Sequence, residues 1–326
     1  MKKHEPLNDA RGGRTLPRAT VNMKTAAIDE IIEILPKDRT KYFYFKDKYA
    51  VDLLRLVVDD TLVSELKASR FSGLLRKPVI RQRLAKIGSS RIRKSDLEDL
   101  WSDTVEPFIL TVGRWGEDSH RHRSYFQTTS NDANLVLQLN FSNCHNGPFR
   151  KLIGQGRERQ FEYRDHPIAR EPYRTLAWAR LDLDLENSEA LIEEVQTDWI
   201  RYGLNRLRCL ERIGRSDWDR SQRLEHRYLS EVMLPYERLW KEAILSAALG
   251  FIAKEIGLDR VFYHSFHSGC ALKRMMDWQP PRSLYEELPR KFCFEKQARC
   301  PRFLERRMRR AKWTPEFYVL ELKDAI

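Results

Sequence analysis

The sequence predicts an α+β protein: a helical N-terminal layer, then a mixed or antiparallel sheet flanked by helices. Three observations carry this. Apolar residues fall at helical spacing through most of the first hundred positions. Residues 134–142 and 175–185 follow the alternating period of strands. Helical spacing then returns over 206–257, ahead of a last alternating segment, EFYVLEL. With 326 residues, 41% of them hydrophobic, the chain is long enough for one or two domains that fold without disulfide or metal staples.

Residues 1–22 (MKKHEPLNDARGGRTLPRATVN) are polar, basic and interrupted by Gly and Pro, and read as a mobile basic arm. A helical N-terminal region, 23–104, follows. TAAIDEIIEIL starts at Thr25 and stops before Pro36, as a helix should. Residues 48–70, 74–87 and 95–103 share the helical period, although the Val57-Val58 pair weakens the first of them.

From 105 to 326 the sequence reads as an α+β domain that carries the candidate site. PFILTVGRW (107–115) and NLVLQLNFS (134–142) are strands, the second half-buried with Leu135, Leu137, Leu139 and Phe141 on its core face. TLAWARLDLDL and LIEEVQTDW, joined across Asn187-Ser188, read as a β-hairpin over 175–199. LPYERLWKEAILSAALGFIAKEIG (234–257) is the strongest helix, with Ala243, Ala248, Leu249 and Ile252 on its apolar face and Gly257 to end it. RVFYHSF is a short β-rich run, 269–277 a short helix, and 302–313 a basic helix.

LIEEVQTDW puts acceptors where a core strand would carry Val and Leu. In a two-residue turn register whose paired positions sum to 375, Arg180 lies diagonal to Glu193 and neutralises it. Glu194, Gln196 and Asp198 then share the other face, opposite Ala177, Ala179 and Leu181, with like-side residues spaced about 6.6–7 Å. This register makes Glu194 the candidate general base, Asp198 a second acid and Gln196 and Trp199 ligand contacts, with Arg180 in support. The competing reading is a charged edge strand.

Other concentrations of chemistry are less specific. FSNCHNGPF (141–149) reads as a turn with an exposed His145. PPRSLYEELPRKFCF (280–294) combines Arg282, Arg290 and Lys291 with Tyr285, either as an anion-binding loop or as a packed connection. RFLERRMRRAKW presents Arg306, Arg307, Arg309 and Arg310, either as a nucleic-acid footprint or as a solvated helix face. HRHR (120–123) adds positive charge near the strands. His264 and His267 lie in a β-like run, where i and i+3 do not share a ligand, so no metal site is expected. The five cysteines, with no C-x-x-C grouping, are expected as free thiols.

The net charge of +12 favours an anionic partner: a nucleotide, a CoA-like molecule or nucleic acid. No apolar run approaches the roughly 18 residues of a membrane span, so a cytoplasmic, membrane-free protein is expected. P-loop, Rossmann and nucleophile-elbow motifs are absent, and the cofactor stays unknown.

TLAWAR, LDLD, ALIEEVQTDW, the helix with Trp240-x-Glu242 and the element Leu288-Pro289-x-Lys291 together resemble a domain of large phage- and plasmid-encoded polyvalent proteins. There an Asn-Val-Leu-Ala-His-x-Arg strand precedes an Ile-Glu-Glu-Ile-Gln-Ser-Asp-Trp strand and a Trp-x-Glu helix. The likeness covers roughly 165–295. Where that pattern has His, this chain has Trp178, and Thr197 replaces Ser. The whole chain also resembles uncharacterised proteins of gammaproteobacteria. The element order is further similar to that of GNAT-type acyltransferases, which implies Glu194 as base and Tyr285 as acid, although the Gly-rich pyrophosphate loop is missing. Two readings stand at this point. One is a transferase-type enzyme, GNAT-like acyl transfer among the options, acting on or with an anionic ligand. The other is a noncatalytic nucleic-acid-associated protein of mobile-element type.

Overall fold

Eight strands form one mixed sheet, and helices cover both of its faces. The structure, a computed structural model, describes residues 23–34, 40–116, 128–129, 133–154, 156–157, 159–273, 280–314 and 316–323. The expected arm at 1–22 and the HRHR cluster at 120–123 lie outside them.

In chain order the described elements are α1 (Met23–Ile34), β1 (Thr40–Tyr44), α2 (Lys48–Val57), β2 (Asp60–Leu62), α3 (Val63–Ala68), α4 (Pro78–Ile87), β3 (Arg91–Arg93), β4 (Glu106–Trp115) and β5 (Asn134–Phe141). Then come α5 (Asn143–Ile153), β6 (Thr175–Asp184), β7 (Glu189–Gln196), α6 (Asp198–Ile213), α7 (Arg220–Arg227), α8 (Leu234–Glu237) and α9 (Trp240–Gly250). A π-helical turn, Phe251–Ile256, extends α9, and β8 (Arg260–His264), α10 (Phe266–Lys273), α11 (Leu288–Lys291), β9 (Glu295–Gln297), α12 (Arg302–Ala311) and β10 (Phe317–Glu321) complete the chain.

The strand order is β1-β4-β5-β6-β7-β8-β10-β9. All neighbours are antiparallel except β7 and β8, which run parallel because the chain between them crosses over through α6 to α9. That pairing ends at Ile192↔Tyr263, while β7 continues to Gln196. The two strands therefore part at their carboxyl ends.

One face of the sheet, with Leu137, Leu139, Ala177, Ala179 and Val195, packs beneath α2 and α9. The other buries Leu191, Phe262, Phe317 and Val319 against Leu272 of α10 and Leu304 and Met308 of α12. β5 is buried along its whole length, so the half-buried strand of the sequence reading is corrected. Gln138 and Asn140 are covered because they hold a loop down. Thr111 donates to Gln138 Oε1 (2.6 Å), Asn140 to Thr111 (2.8 Å), and Gln138 Nε2 to the Pro167 carbonyl (2.8 Å).

Several extents also differ. Thr40–Tyr44, inside the region expected to be helical, is a strand paired with β4. The helix expected over 48–70 ends at Val57, where the two valines stand, and the chain turns into β2. FSNCHNGPF is no turn: Ser142 caps Cys144 N and opens α5. His145 is 1% exposed, stacked on Phe141 with centroids 3.5 Å apart, and its Nε2 lies 2.9 Å from the Tyr228 hydroxyl.

Candidate active site

The hairpin contains a β-bulge that the uniform register did not allow for. Trp178 pairs Gln196, Ala179 pairs Val195 and Arg180 pairs Glu194; then the pairing shifts so that Leu181 meets Ile192, leaving Glu193 as the extra residue. Three corrections follow. Arg180 neutralises Glu194, not Glu193. Ala177 and Ala179 are fully buried in the core and are not the floor of an open polar face. Asp198 leaves the strand altogether and becomes the first residue of α6, whose cap is Thr197, accepting from Ile200 N.

The bulge and the parting of β7 from β8 gather charge in one place. Glu193, fully buried, accepts from Thr129 N (2.9 Å) and Thr129 Oγ1 (2.7 Å), and lies 3.4 Å from His264 Nε2. With Thr129 donating to Glu193, His264 Nε2–H donates to Thr129 Oγ1 (2.9 Å), and Ser268 stands 3.0 Å from Nδ1. The Glu193 carbonyl, past the end of the parallel ladder, accepts instead from Lys273 Nζ at 2.8 Å. Lys273 also donates to the Tyr285 hydroxyl (2.9 Å) and stands 3.6 Å from Glu194.

The protonation states follow from these contacts. Burial pushes the Glu193 carboxyl up, but the adjoining His264 and the charges of Lys273 and Arg180 outweigh burial and hold it below the usual range. Glu194 behaves alike: burial raises it, but the charges of Lys273 and Arg180 outweigh burial and hold it below the usual range. A carboxylate so stabilised is a weak base. Burial lowers His264 and keeps its ring neutral. Burial likewise lowers Lys273, against the pull of Glu194. Tyr285 is raised well above the ordinary phenol by burial and then by Glu194, so it keeps its proton.

Beyond Glu194 the row continues to His166, which the sequence reading did not single out. Its Nδ1 is 2.8 Å from Asp198 Oδ2. Asp198 Oδ1 accepts from Arg201 (2.6 Å) and from Gln196 Nε2 (3.2 Å). Gln196 Nε2 also sits 3.2 Å from His166 Nδ1, and since both nitrogens carry hydrogen when Nδ1 donates to Asp198, that approach is not a bond. The consistent tautomer has hydrogen on Nδ1 and a lone pair on Nε2. Among the described residues Nε2 makes no hydrogen bond. The ring meets Tyr163, Trp178 and Trp115 edgewise at 4.7, 5.5 and 6.5 Å, and Arg180 lies over Trp115. A histidine in an irregular segment, EYRDHPIAR, gives no periodic signal.

The structure thus brings together Arg180, Glu194, Gln196, Asp198 and Tyr285 of the expected set, and joins His166, Lys273, Glu193 and His264 to them. It does not bring the others. Trp199 is fully buried in an aromatic cluster with Phe141, Phe149 and Phe161, donating to Tyr228 (2.6 Å). Arg282 stacks on Phe266 and Arg290 pairs with Glu286 (2.9 Å). Lys291 pairs with Glu242, so the Trp-x-Glu and Leu-Pro-x-Lys elements meet each other, away from the row of Glu194 and His166. On α12, Arg306, Arg307, Arg309 and Arg310 are all exposed, and Arg307 also reaches the Thr129 carbonyl (2.5 Å).

Among the described residues no three His, Cys, Asp or Glu side chains are grouped as metal ligands, and no helix is long and apolar enough to cross a membrane. In comparisons with protein-family models, curated proteins and solved structures, no match was found.

Proposed function

We propose that this chain is a cytoplasmic transferase-type enzyme in which His166, oriented by Asp198, is the general base, and that the transferred group is an acyl group in the manner of GNAT-like enzymes. The observation that carries the reading is the dyad itself. A buried carboxylate fixes Nδ1 and leaves Nε2 bearing its lone pair at a partly open position, the arrangement a base needs. The base moves from Glu194, which Arg180 and Lys273 hold ionised, to His166.

Position supports the assignment. Ligands of mixed sheets gather outside the carboxyl ends of parallel strands, where neighbouring connections part. His166, Glu194 and Lys273 lie beside that end of β7. The element order of meander, carboxylate-bearing strand, helices, β8, α10 and the segment with Tyr285 is the one that suggested the acyltransferase likeness. In the polyvalent-protein pattern an imidazole stands at the place of Trp178; here the His166 ring packs on Trp178.

The roles divide accordingly. His166 takes the proton of an acceptor amine as its nitrogen bonds to the acyl carbon, the carbon–sulfur bond of the thioester breaks, and Tyr285 gives its proton to the leaving thiolate; Arg180 and Lys273 keep Glu194 ionised beside them. The test is thiol release from acetyl-CoA and longer acyl-CoA thioesters in the presence of a panel of amines. Turnover by the wild type that falls about 10²–10⁴-fold in His166→Gln, with CoA binding retained, is the expected result. Equal rates in the two proteins, or no turnover with any thioester, would overturn it.

A nucleic-acid-associated role is the second reading, favoured by the exposed Arg306, Arg309 and Arg310 on α12 and the net charge of +12. It requires binding that weakens steeply with salt and that disappears when those arginines are changed to glutamate.

A further inference from the structure

On the face of the sheet opposite His166 there is a cavity of about 460 Å³ between β1, β4 and β5 on one side and α2, α9 and the π turn on the other. Its floor is apolar: Leu110, Val112 and Leu137 from the strands, with Leu56 and Phe251 from the helices. Its rim is charged and asymmetric. Lys48 is held by both oxygens of Asp52 (2.6 and 2.7 Å), and Ser246 donates to the same carboxylate at 2.6 Å, so that pair is self-satisfied.

Arg55 and Lys254 are different. Among the described residues Arg55 pairs with Glu98 alone, at 3.9 Å, and both side chains are substantially exposed, a pairing worth little in water. Lys254 has no carboxylate within ion-pair distance among the described residues. Burial and the neighbouring Arg55 guanidinium hold its ammonium below the ordinary lysine range, the signature of an under-neutralised positive centre. Glu255 is the one further carboxylate lining the cavity.

Two features of the backbone fall in this wall. The helix widens from α to π over Phe251–Ile256, where it lines the cavity, and π turns within helices recur at ligand sites. Gly250, also in the wall, has nothing within 4 Å of the position a Cβ would take. A helix-interior glycine costs about 1 kcal/mol relative to alanine.

We infer that this cavity is a binding site for a small amphiphilic monocarboxylate, its apolar body on Leu110, Val112, Leu137 and Phe251 and its carboxylate on Arg55 and Lys254. Volume and lining suit such a ligand: pockets of about 300–1,000 Å³ with an apolar body and a few convergent polar groups are the ordinary form of small-molecule sites. Asp52, already held by Lys48 and Ser246, and Glu255 pull on Lys254 less than burial and Arg55 push against its charge, and the ligand carboxylate supplies the remaining counter-charge. The site is independent of the His166 centre, which lies across the sheet.

The experiment is isothermal titration of the full chain with octanoate, with 1-octanol as the uncharged counterpart, against three variants. Wild type is expected to bind octanoate saturably and at least 10-fold more tightly than octanol. Lys254→Met and Arg55→Met are each expected to weaken octanoate about 5–10-fold and leave octanol unchanged. Gly250→Leu fills the cavity from a position with free space and improves helix propensity, so it is expected to fold at least as well and to bind neither compound. Absence of saturable octanoate binding, equal affinity for octanol, or unchanged binding in the folded Gly250→Leu protein would each overturn the proposal.

Discussion

Replacing Lys273 by Met removes a buried ammonium and keeps most of its stem, so the effect isolates the charge and its hydrogen bonds. The Glu193 carbonyl loses a donor at 2.8 Å and the Tyr285 hydroxyl loses one at 2.9 Å. Glu194 keeps Arg180 but loses a positive charge 3.6 Å away. Hydrogen bonds to a charged group contribute about 1.5–3 kcal/mol each, so the two bonds alone amount to at least about 3 kcal/mol. Against this stands the desolvation of the ammonium, which the variant no longer incurs. Removing one partner from a buried ionic group costs about 3–5 kcal/mol, and we place Lys273→Met in that range. The assay is urea unfolding followed in parallel by tryptophan fluorescence and far-UV circular dichroism, coincident transitions being required before a free energy is extracted. Lys273→Met combined with Glu194→Gln restores the charge balance and should lose less than the sum of the single changes, with a coupling of about 0.5–3 kcal/mol. A single-variant loss below about 1 kcal/mol, with additive effects in the double variant, would refute the claim that this ion group is tightly coupled.

Two further expectations concern stability. Burial lowers His145 from 6.5 to about 3, so the unfolded chain takes up a proton below pH 6.5 that the native ring refuses. That contribution to stability is present above pH 6.5 and is lost on acidification at about 1.4 kcal/mol per pH unit until pH nears 3. Thermal melts of wild type and His145→Gln should therefore converge between pH 6.5 and 4.5; a constant gap would contradict the burial argument. At Gly203 of α6 an added Cβ meets Met233 Sδ at 2.0 Å, and Met233 is fully buried. Overpacking of about 1–3 kcal/mol should outweigh the roughly 1 kcal/mol gain in helix propensity, making Gly203→Ala destabilising. The same change in a Met233→Ala background should be neutral or stabilising, and urea midpoints of the four proteins check this.

The strands were readable where alternation was long. β5 and the β6–β7 hairpin stand where apolar alternation places them, and Gly257 ends the π turn in the left-handed region (φ 81°) as expected. β1 was not readable, because five residues, TKYFY, offer too short a period and its stability comes from β4. The candidate site was legible as a location and not as an arrangement. One extra residue at Glu193 exchanged the partners of the two glutamates, since a single slip reverses side-chain faces. A signal for Asp198 was present, Thr197 followed by an acid being a common helix start, but the alternation of the strand overrode it. His166 and Lys273 reach the site only through tertiary structure, the loop at Pro167 being held by Gln138 and the Lys273 ammonium by the Glu193 carbonyl.

Through its contact with Nδ1, Asp198 fixes the His166 tautomer with hydrogen on Nδ1 and a lone pair on Nε2. Long-range proton–nitrogen correlation spectra of the ring nitrogens, assigned with His166→Gln, report that tautomer without knowledge of the substrate. The predicted result is a ring with its hydrogen on Nδ1 in the wild type, shifting to a tautomer mixture in Asp198→Ala. A ring protonated at Nε2, or a spectrum indifferent to the loss of Asp198, would contradict the assignment of His166 as the base.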